Sequence, residues 1–375
     1  MAVRSLVLGF AILIALGCGN SEPNWQWPEA TPAQQGMDQT ILEGARTYAF
    51  QDGKNTQGVV VTRRGVLVAE WYTDGKGPDS YAGSWSVAKS IVGALIGMAI
   101  EDGSIANVDV PLTDYYPSWV GTERDQIKLE HVLHQTTGLL WEESYDLMSA
   151  NDSDAAQLVL TTESPLQYVL DRPVAAAPDT EFNYSSGNSL LFAGILEQAT
   201  GMSAGEFAEQ RLFSRMGIED AHWWKAKTGE TLTYCCVDMT SRDFARFGLL
   251  YLRNGEWDGK QLVPSEWVAA SLAPATIYAG YGYQWWLIGP EYPDLPNDLY
   301  AALGHDGQFI YVIPSLELVV VRNGFYLKDV GEPIADPTLF IRYPSGNLIP
   351  GGGTIPPDEW DATSFLAPII DSVID

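Results

Sequence analysis

The stretch SVAKSIVGALIGMAIE, residues 86–101, is apolar on nearly every face. A helix with apolar residues on all sides is buried, so this segment should lie at the centre of the fold. It opens with an S-x-x-K motif formed by Ser86 and Lys89. A spacing of three places both side chains on one helical face, where the Lys89 amine can reach the Ser86 hydroxyl.

This motif has the features of an activated nucleophile. The helix N-terminus favours a developing alkoxide on Ser86, and burial should lower the pKa of Lys89 from the usual ~10.4. The other interpretation is structural, with Ser86 capping the helix and Lys89 in solvent. Because a chain of this length contains about one S-x-x-K by chance, the motif predicts a nucleophile only together with its surroundings.

The rest of the chain predicts an α+β fold. Strand patterns lie near both ends, and the region from about 105 to 255 has mainly helical patterns. We expect an antiparallel sheet built from distant segments, flanked by helices, with a helical lobe inserted beside a cleft. The predicted strands are residues 58–62, 66–72, 309–313 and 316–322, and the predicted helices outside the central one are residues 40–51, 190–199, 206–213, 241–254 and 362–373.

Two polar loops could complete a site around Ser86. Tyr184, before an apolar run, could exchange a proton with Ser86 and pass it to a leaving group, provided that neighbouring cations lower its pKa of ~10. The segment Gly304-His305-Asp306-Gly307-Gln308 enters a predicted strand. There the Gln308 N–H could complete an oxyanion hole with the Ser86 N–H.

A second serine also matches a nucleophile motif. Ser203 lies in G-x-S-x-G, which in α/β-hydrolases follows a strand and precedes a helix. Here a helical pattern precedes it. We interpret Ser203 and Glu206 as a capping box on the next helix instead, with Gly201 ending the previous one.

In order along the chain, S-x-x-K, Y-x-S and H-x-G resemble the three motifs of the superfamily of class C β-lactamases and penicillin-binding proteins. The flanking stretches 133–145, 241–248 and 280–286 resemble its nylon-oligomer hydrolase and esterase branch. The resemblance covers roughly residues 35–330 and implies a β-lactamase/transpeptidase-like fold. It also implies that Ser86 is acylated, that Lys89 is its base and that Tyr184 is the tyrosine of the second motif.

Other positions match the superfamily with changes. Ser186 replaces the asparagine of the second motif and His305 the lysine of the third, while Gly307 and Gln308 form the strand edge. A neutral His305 lacks the permanent cation that holds a substrate carboxylate. A pair of glycines expected before the 241–248 stretch is Cys235-Cys236 here. Aromatic residues of the flanking stretches should line the cleft and suit apolar substrates, namely Trp141, Tyr145, Trp285 and Trp286.

These features predict a serine hydrolase acting on ester or amide bonds through an acyl-enzyme, with no cofactor and no metal. A β-lactamase or D-amino-acid peptidase on the same fold is the alternative, and a non-catalytic envelope binding protein is the rival of another class. His131 and His134 have a spacing of three but no further ligands near them in sequence, so they do not predict a metal site. The oligomeric state is not predicted.

The net charge is −27, from 21 basic and 48 acidic residues. A surface this negative repels phosphate backbones, which argues against nucleic acid as a partner. We expect a small-molecule ester or amide as the main partner.

The N-terminus predicts export. Residues 6–16 are apolar and, at ~1.5 Å per helical residue, too short to span a bilayer, as in a signal peptide of residues 1–17. The following Cys18 resembles the lipidated cysteine of bacterial lipoproteins, and ordinary secretion without a lipid is the alternative. Residues 18–38 then read as a tether and 39–375 as the hydrolase domain, attached to the membrane on the envelope side by the lipid. Cys235 and Cys236 are expected to be buried thiols, because adjacent cysteines resist ordinary disulfide geometry.

Overall fold

A five-stranded antiparallel sheet is formed by two strands from the N-terminal part of the chain and three from the C-terminal part. The computed structural model describes residues 25–144, 153–160, 164–325, 340–341 and 360–375. The strand order is β2-β1-β11-β10-β9. Val321 of β11 lies opposite Val60 of β1 on one side and Ile310 of β10 on the other. The strands are β1 (Thr56–Arg63), β2 (Val66–Tyr72), β9 (Tyr300–Gly304), β10 (Gln308–Ile313) and β11 (Leu318–Gly324).

Both faces of this sheet are buried. Val60, Val321 and Ile310 face the main core, and their neighbours Val61 and Val320 face a second core. That second core is closed by α1 (Gln39–Ala49) and α10 (Ala362–Asp371), which pack against each other.

The main core is closed by the central helix α2 (Val87–Glu101) and by α8 (Ser241–Leu252). Gly248 lets α8 approach the sheet, because a Cβ there would lie 2.5 Å from Val319 Cγ1. The sequence predicts this helix, residues 241–254, as part of the helical lobe. In the structure α8 packs on the sheet instead. Every residue of α2 from Val87 to Ala99 is buried, as predicted.

The helical lobe shares the main core, to which its residues Leu190 and Phe207 belong. The remaining helices of the chain are α3 (Leu129–Leu133), α4 (Asp154–Leu160), α5 (Pro165–Leu170), α6 (Ser186–Thr200), α7 (Ala204–Ala208) and α9 (Ser265–Ser271). The short strands are β3 (Tyr81–Gly83), β4 (His222–Trp223), β5 (Lys225–Ala226), β6 (Val237–Thr240), β7 (Glu256–Trp257), β8 (Lys260–Gln261) and β12 (Phe340–Ile341).

The predicted α+β architecture is confirmed, with one correction near the N-terminus. The expected tether of residues 18–38 is too long, since the chain from Trp25 onward packs on the domain. Leu67 donates its N–H to Pro28 O at 2.8 Å, and Trp27 and Met37 are buried. The predicted signal peptide and Cys18 lie outside the described residues. Among the helices that are described, none is long and apolar enough to cross a membrane.

Candidate active site

Ser86 occupies the N-cap position of α2, but its side chain makes no capping bond. The hydroxyl instead accepts a hydrogen bond from Lys89 Nζ at 2.9 Å. The preceding Trp85 has a φ of 43°, a conformation that bulky residues rarely adopt and that is often found at functional sites. Its indole Nε1 donates to Asp306 Oδ2 at 3.0 Å. Asp306 therefore holds the strained residue next to the candidate nucleophile.

Lys89 is almost completely buried, with 1% of its surface exposed. Besides Ser86, its Nζ donates to Ser186 Oγ at 3.0 Å and to Tyr234 O at 3.1 Å. Burial lowers the pKa of Lys89 to about 8, while the nearby Glu143 carboxylate acts in the opposite direction. The predicted lowering is confirmed, and a lysine with this pKa has a substantial neutral fraction at mildly alkaline pH.

Tyr184 packs its ring over the same amine. The ring centroid lies 4.9 Å from Lys89 Nζ. The hydroxyl is near enough to Ser86 for that side chain to act to lower the pKa of Tyr184. The condition set for Tyr184 as a proton shuttle, a pKa lowered by neighbouring cations, is not met. Burial raises this pKa, and the Glu143 carboxylate raises it further. Tyr184 is therefore a neutral phenol at ordinary pH, suited to give a proton rather than to take one.

Glu143 is a site residue for which the sequence predicts no role. Its Oε1 accepts from Ser186 Oγ at 2.6 Å, and its Oε2 accepts from the Ser186 N–H at 2.8 Å and from Trp141 Nε1 at 2.6 Å. Trp141 reaches this position over Gly187, where a Cβ would lie 2.5 Å from the indole ring. Glu143 lies in the stretch 133–145, which resembles the nylon-oligomer hydrolase branch, but no spacing rule links Glu143 to Ser186.

The third-motif residues form a tight turn at the end of β9. Asp306 and Gly307 both have positive φ, 58° and 76°. The Gln308 N–H donates to His305 O within this turn. The Gln308 side chain faces the core, where its Nε2 donates to Gly324 O at 2.9 Å. The oxyanion role of the Gln308 N–H stays a prediction. In that role the N–H would donate both to the substrate oxygen and to His305 O.

His305 lies beside the nucleophile helix, with its ring 5.5 Å from the Trp85 ring and its Nε2 3.7 Å from Asp306 Oδ1. Burial lowers its pKa to about 4. His305 is therefore neutral at physiological pH and provides no fixed cation.

Cys235 and Cys236 are joined by a disulfide, so the expectation of two thiols is wrong. Cys236 has a φ of 73°, and this left-handed turn brings the two adjacent sulfurs to the same side of the chain. Trp223 Nε1 donates to Cys235 O at 2.9 Å, and the Trp224 N–H donates to Cys236 O at 3.0 Å. The residue before the pair is Tyr234, whose carbonyl accepts from Lys89.

The four aromatic residues named from sequence have different positions. Trp286 packs 5.2 Å from the Tyr184 ring and belongs to the site. Trp285 is fully buried against Tyr251 in the core, so its expected place in the cleft is wrong. Trp141 is mostly buried and binds Glu143. Tyr145 lies outside the described residues.

The competing serine has a structural role. Ser203 caps α7 in a reciprocal capping box with Glu206, and a helix rather than a strand precedes it. His131 accepts the Lys128 N–H at its Nδ1, and the His134 ring lies 4.6 Å from the Tyr283 ring in a tilted arrangement. Within the part of the chain that the structure describes, no three His, Cys, Asp or Glu side chains are grouped as metal ligands.

The fold and this cluster define a class of hydrolases with an S-x-x-K serine on a buried helix. The profile of the Beta-lactamase family matches residues 35–329, and the chain belongs to that family. It is 27% identical over 287 residues to a 6-aminohexanoate-dimer hydrolase of Paenarthrobacter ureafaciens, covering 71% of this chain and 72% of the relative.

Solved structures agree on the fold. A Bacillus anthracis protein provisionally named as a 6-aminohexanoate-dimer hydrolase superposes with a TM-score of 0.67 at 24% identity, covering 80% of this chain and 82% of the other. EstCE1, a hydrolase with promiscuous acyltransferase activity, gives 0.61 at 14% identity, covering 76% and 92%. The β-lactamase/transpeptidase-like fold predicted from sequence is confirmed.

Proposed function

We propose that the protein is a serine hydrolase that cleaves ester or amide bonds through an acyl-enzyme on Ser86. The contact that carries this proposal is the 2.9 Å hydrogen bond between Lys89 Nζ and Ser86 Oγ, made by a buried lysine whose pKa is lowered to about 8. A lysine that is partly neutral near the working pH is suited to remove the serine proton.

In the first half of the reaction, neutral Lys89 takes the Ser86 proton and Ser86 Oγ bonds to the substrate carbonyl carbon. Tyr184 gives its proton to the leaving alcohol or amine as that bond breaks, and it regains a proton from the Lys89 ammonium. In the second half, Lys89 takes a proton from water as the water oxygen attacks the acyl carbon. It then returns that proton to Ser86 Oγ, which leaves, and the acid is released.

The substrate class follows from the third motif. His305 is neutral because burial lowers its pKa to about 4, so a substrate carboxylate gains no fixed positive partner there. Trp286 adds an apolar wall beside Tyr184. We therefore favour uncharged esters, then linear amides, over β-lactams. The name of the Paenarthrobacter relative, a 6-aminohexanoate-dimer hydrolase, supports the linear amide bond but not the preference for uncharged substrates, since a 6-aminohexanoate dimer ends in a carboxylate.

An active-site-directed fluorophosphonate probe tests the proposal. The unmodified protein should be labelled on Ser86, located by peptide mass spectrometry. Absence of label at Ser86, in protein shown to be folded, would support the non-catalytic binding protein instead.

We further propose that the protein is exported and attached to the bacterial cell envelope through a lipid on Cys18. The N-terminal sequence supports this, and so does the Cys235–Cys236 disulfide, because disulfides persist mainly in oxidising compartments. Cys18→Ser should move the protein from the membrane fraction to a soluble or uncleaved form. Native protein that is soluble, with its mature N-terminus at another residue, would exclude the lipid.

A further inference from the structure

The carboxylate of Glu143 fixes the direction of the hydrogen bonds made by Ser186. Glu143 Oε1 accepts from Ser186 Oγ at 2.6 Å, and a carboxylate has no proton to give in return. The single hydroxyl proton of Ser186 is therefore directed to Glu143. What Ser186 Oγ offers to Lys89 Nζ, 3.0 Å away, is a lone pair.

The second partner of Lys89 is also an acceptor only. Tyr234 O accepts from Lys89 Nζ at 3.1 Å, and a carbonyl cannot donate. When Lys89 is neutral it has two protons and one lone pair. Ser186 and Tyr234 bind the two protons, so the lone pair is left to face Ser86 Oγ, 2.9 Å from Nζ. This is the orientation that a base for Ser86 needs.

We propose that Glu143 and Ser186 are a positioning pair that aims the lone pair of Lys89 at Ser86. The pair also stabilises the ammonium that forms when Lys89 takes the proton, since Glu143 acts to raise the pKa of Lys89. Serine can then take the place of the asparagine of the second motif, because Glu143 makes it an obligate acceptor. This inference rests on the proposed function and adds two residues to its mechanism.

Glu143→Gln tests the direction of the hydrogen bonds. Oε2 faces two N–H donors, from Ser186 and Trp141, so the oxygen of the new amide must stay there. The amide nitrogen then takes the Oε1 position and donates to Ser186 Oγ. The Ser186 proton turns toward the lone pair of Lys89, which is no longer available to Ser86. We expect labelling of Ser86 by the fluorophosphonate to slow about 100-fold, the lower end of what general-base catalysis contributes.

A double-mutant cycle separates positioning from a merely structural role. In Ser186→Ala there is no hydroxyl to reverse, so adding Glu143→Gln should slow labelling by less than about threefold more. The bonds from Glu143 to Trp141 and to the backbone N–H of residue 186 remain in the Ala background. A structural role of Glu143 would therefore cost the same in both backgrounds, and strict additivity overturns the proposal.

The pH dependence provides an independent readout. Glu143→Gln removes a charge that raises the pKa of Lys89, so the rising limb of the labelling rate should move to lower pH while its plateau falls. An unmoved limb contradicts the proposal. Glu142→Gln, at the exposed neighbouring position, is the matched control and should change neither. If Glu143→Gln does not fold, Ser186→Ala decides alone, since a labelling rate within threefold of the unmodified protein overturns the proposal.

The outcomes also distinguish this inference from the proposed function. No label on Ser86 of the unmodified protein contradicts the function itself. Normal labelling that is equally fast in folded Glu143→Gln contradicts only the positioning role.

Discussion

Lys89 Nζ lies 4.9 Å from the centre of the Tyr184 ring and also donates to Ser86 Oγ at 2.9 Å. The amine thus faces the π surface of the Tyr184 ring, and this contact stabilises the ammonium form of Lys89. Ser86 acts to lower the pKa of the Tyr184 hydroxyl, which places that hydroxyl near the candidate nucleophile. This arrangement fits the roles proposed above, Lys89 as base and Tyr184 as acid.

The pH dependence of ester hydrolysis should report the Lys89 base. Because its pKa is lowered to about 8, kcat/KM should rise with pH through about 8 and then level off. Burial raises the pKa of Tyr184, so no falling limb is expected below pH ~10. A pH profile measured with a neutral p-nitrophenyl ester checks this. A limb near pH 6 to 7 would point to a different base.

The two candidate serines give opposite predictions. Ser86→Ala should abolish turnover and leave the fold intact, because it removes one hydroxyl that makes no helix cap. Ser203→Ala removes a capping box and should lower stability by ~1 kcal/mol without loss of activity. Turnover of a p-nitrophenyl ester and thermal unfolding measure both effects. An inactive Ser203→Ala beside an active Ser86→Ala would reverse the assignment.

Substrate preference should follow the charge at position 305. The unmodified protein should cleave p-nitrophenyl acetate or butyrate readily, linear amides more slowly and cephalosporins barely at all. His305→Lys should raise kcat/KM for carboxylate-bearing substrates relative to neutral ones, since it restores a cation near Ser86. Parallel assays of matched neutral and acidic esters measure the ratio. Cephalosporin hydrolysis faster than ester hydrolysis by the unmodified protein would contradict this interpretation of the third motif.

Reduction of the Cys235–Cys236 disulfide should lower activity. The bond constrains the chain next to Tyr234, whose carbonyl holds Lys89. Weakening one hydrogen bond to a charged group should cost roughly tenfold in kcat/KM. The assay compares activity before and after treatment with a phosphine reductant, with thiols counted by mass spectrometry. The Cys235→Ser/Cys236→Ser variant is the control and should not respond to reductant. Full activity of the reduced protein would show that the turn holds without the bond.

Sequence patterns were sufficient for the features that depend on neighbouring residues. The S-x-x-K pair, the fully buried helix and the capping box of Ser203 all depend on positions three or four apart, and the structure has each of them. The two pairs of strands at opposite ends of the chain were also predicted. Strand β9 was missed, because Tyr300–Gly304 is short and lacks the β-branched run of its neighbours.

Features set by tertiary contact were not predictable in this way. Glu143 meets Ser186 across 43 positions of sequence, and no periodicity links them. The raised pKa of Tyr184 follows from burial and from the Glu143 carboxylate, neither of which the local sequence around Tyr184 indicates. The disulfide depends on the left-handed backbone of Cys236, which residue type alone does not indicate.

Because α2 is buried on every side, the proposed catalytic residues Ser86 and Lys89 lie on a segment enclosed by the core. Segments of low local stability open in small fluctuations, whereas a helix enclosed by the core is exposed only when the whole domain opens. Ser86 and Lys89 lie at the start of this enclosed helix. Trp267 Nε1 holds the middle of the helix by donating to Gly93 O at 3.0 Å. Amide protons of this helix should exchange with solvent only through global unfolding. On heating, activity and tertiary structure should therefore be lost at the same temperature. No temperature range should exist in which the protein is folded but inactive.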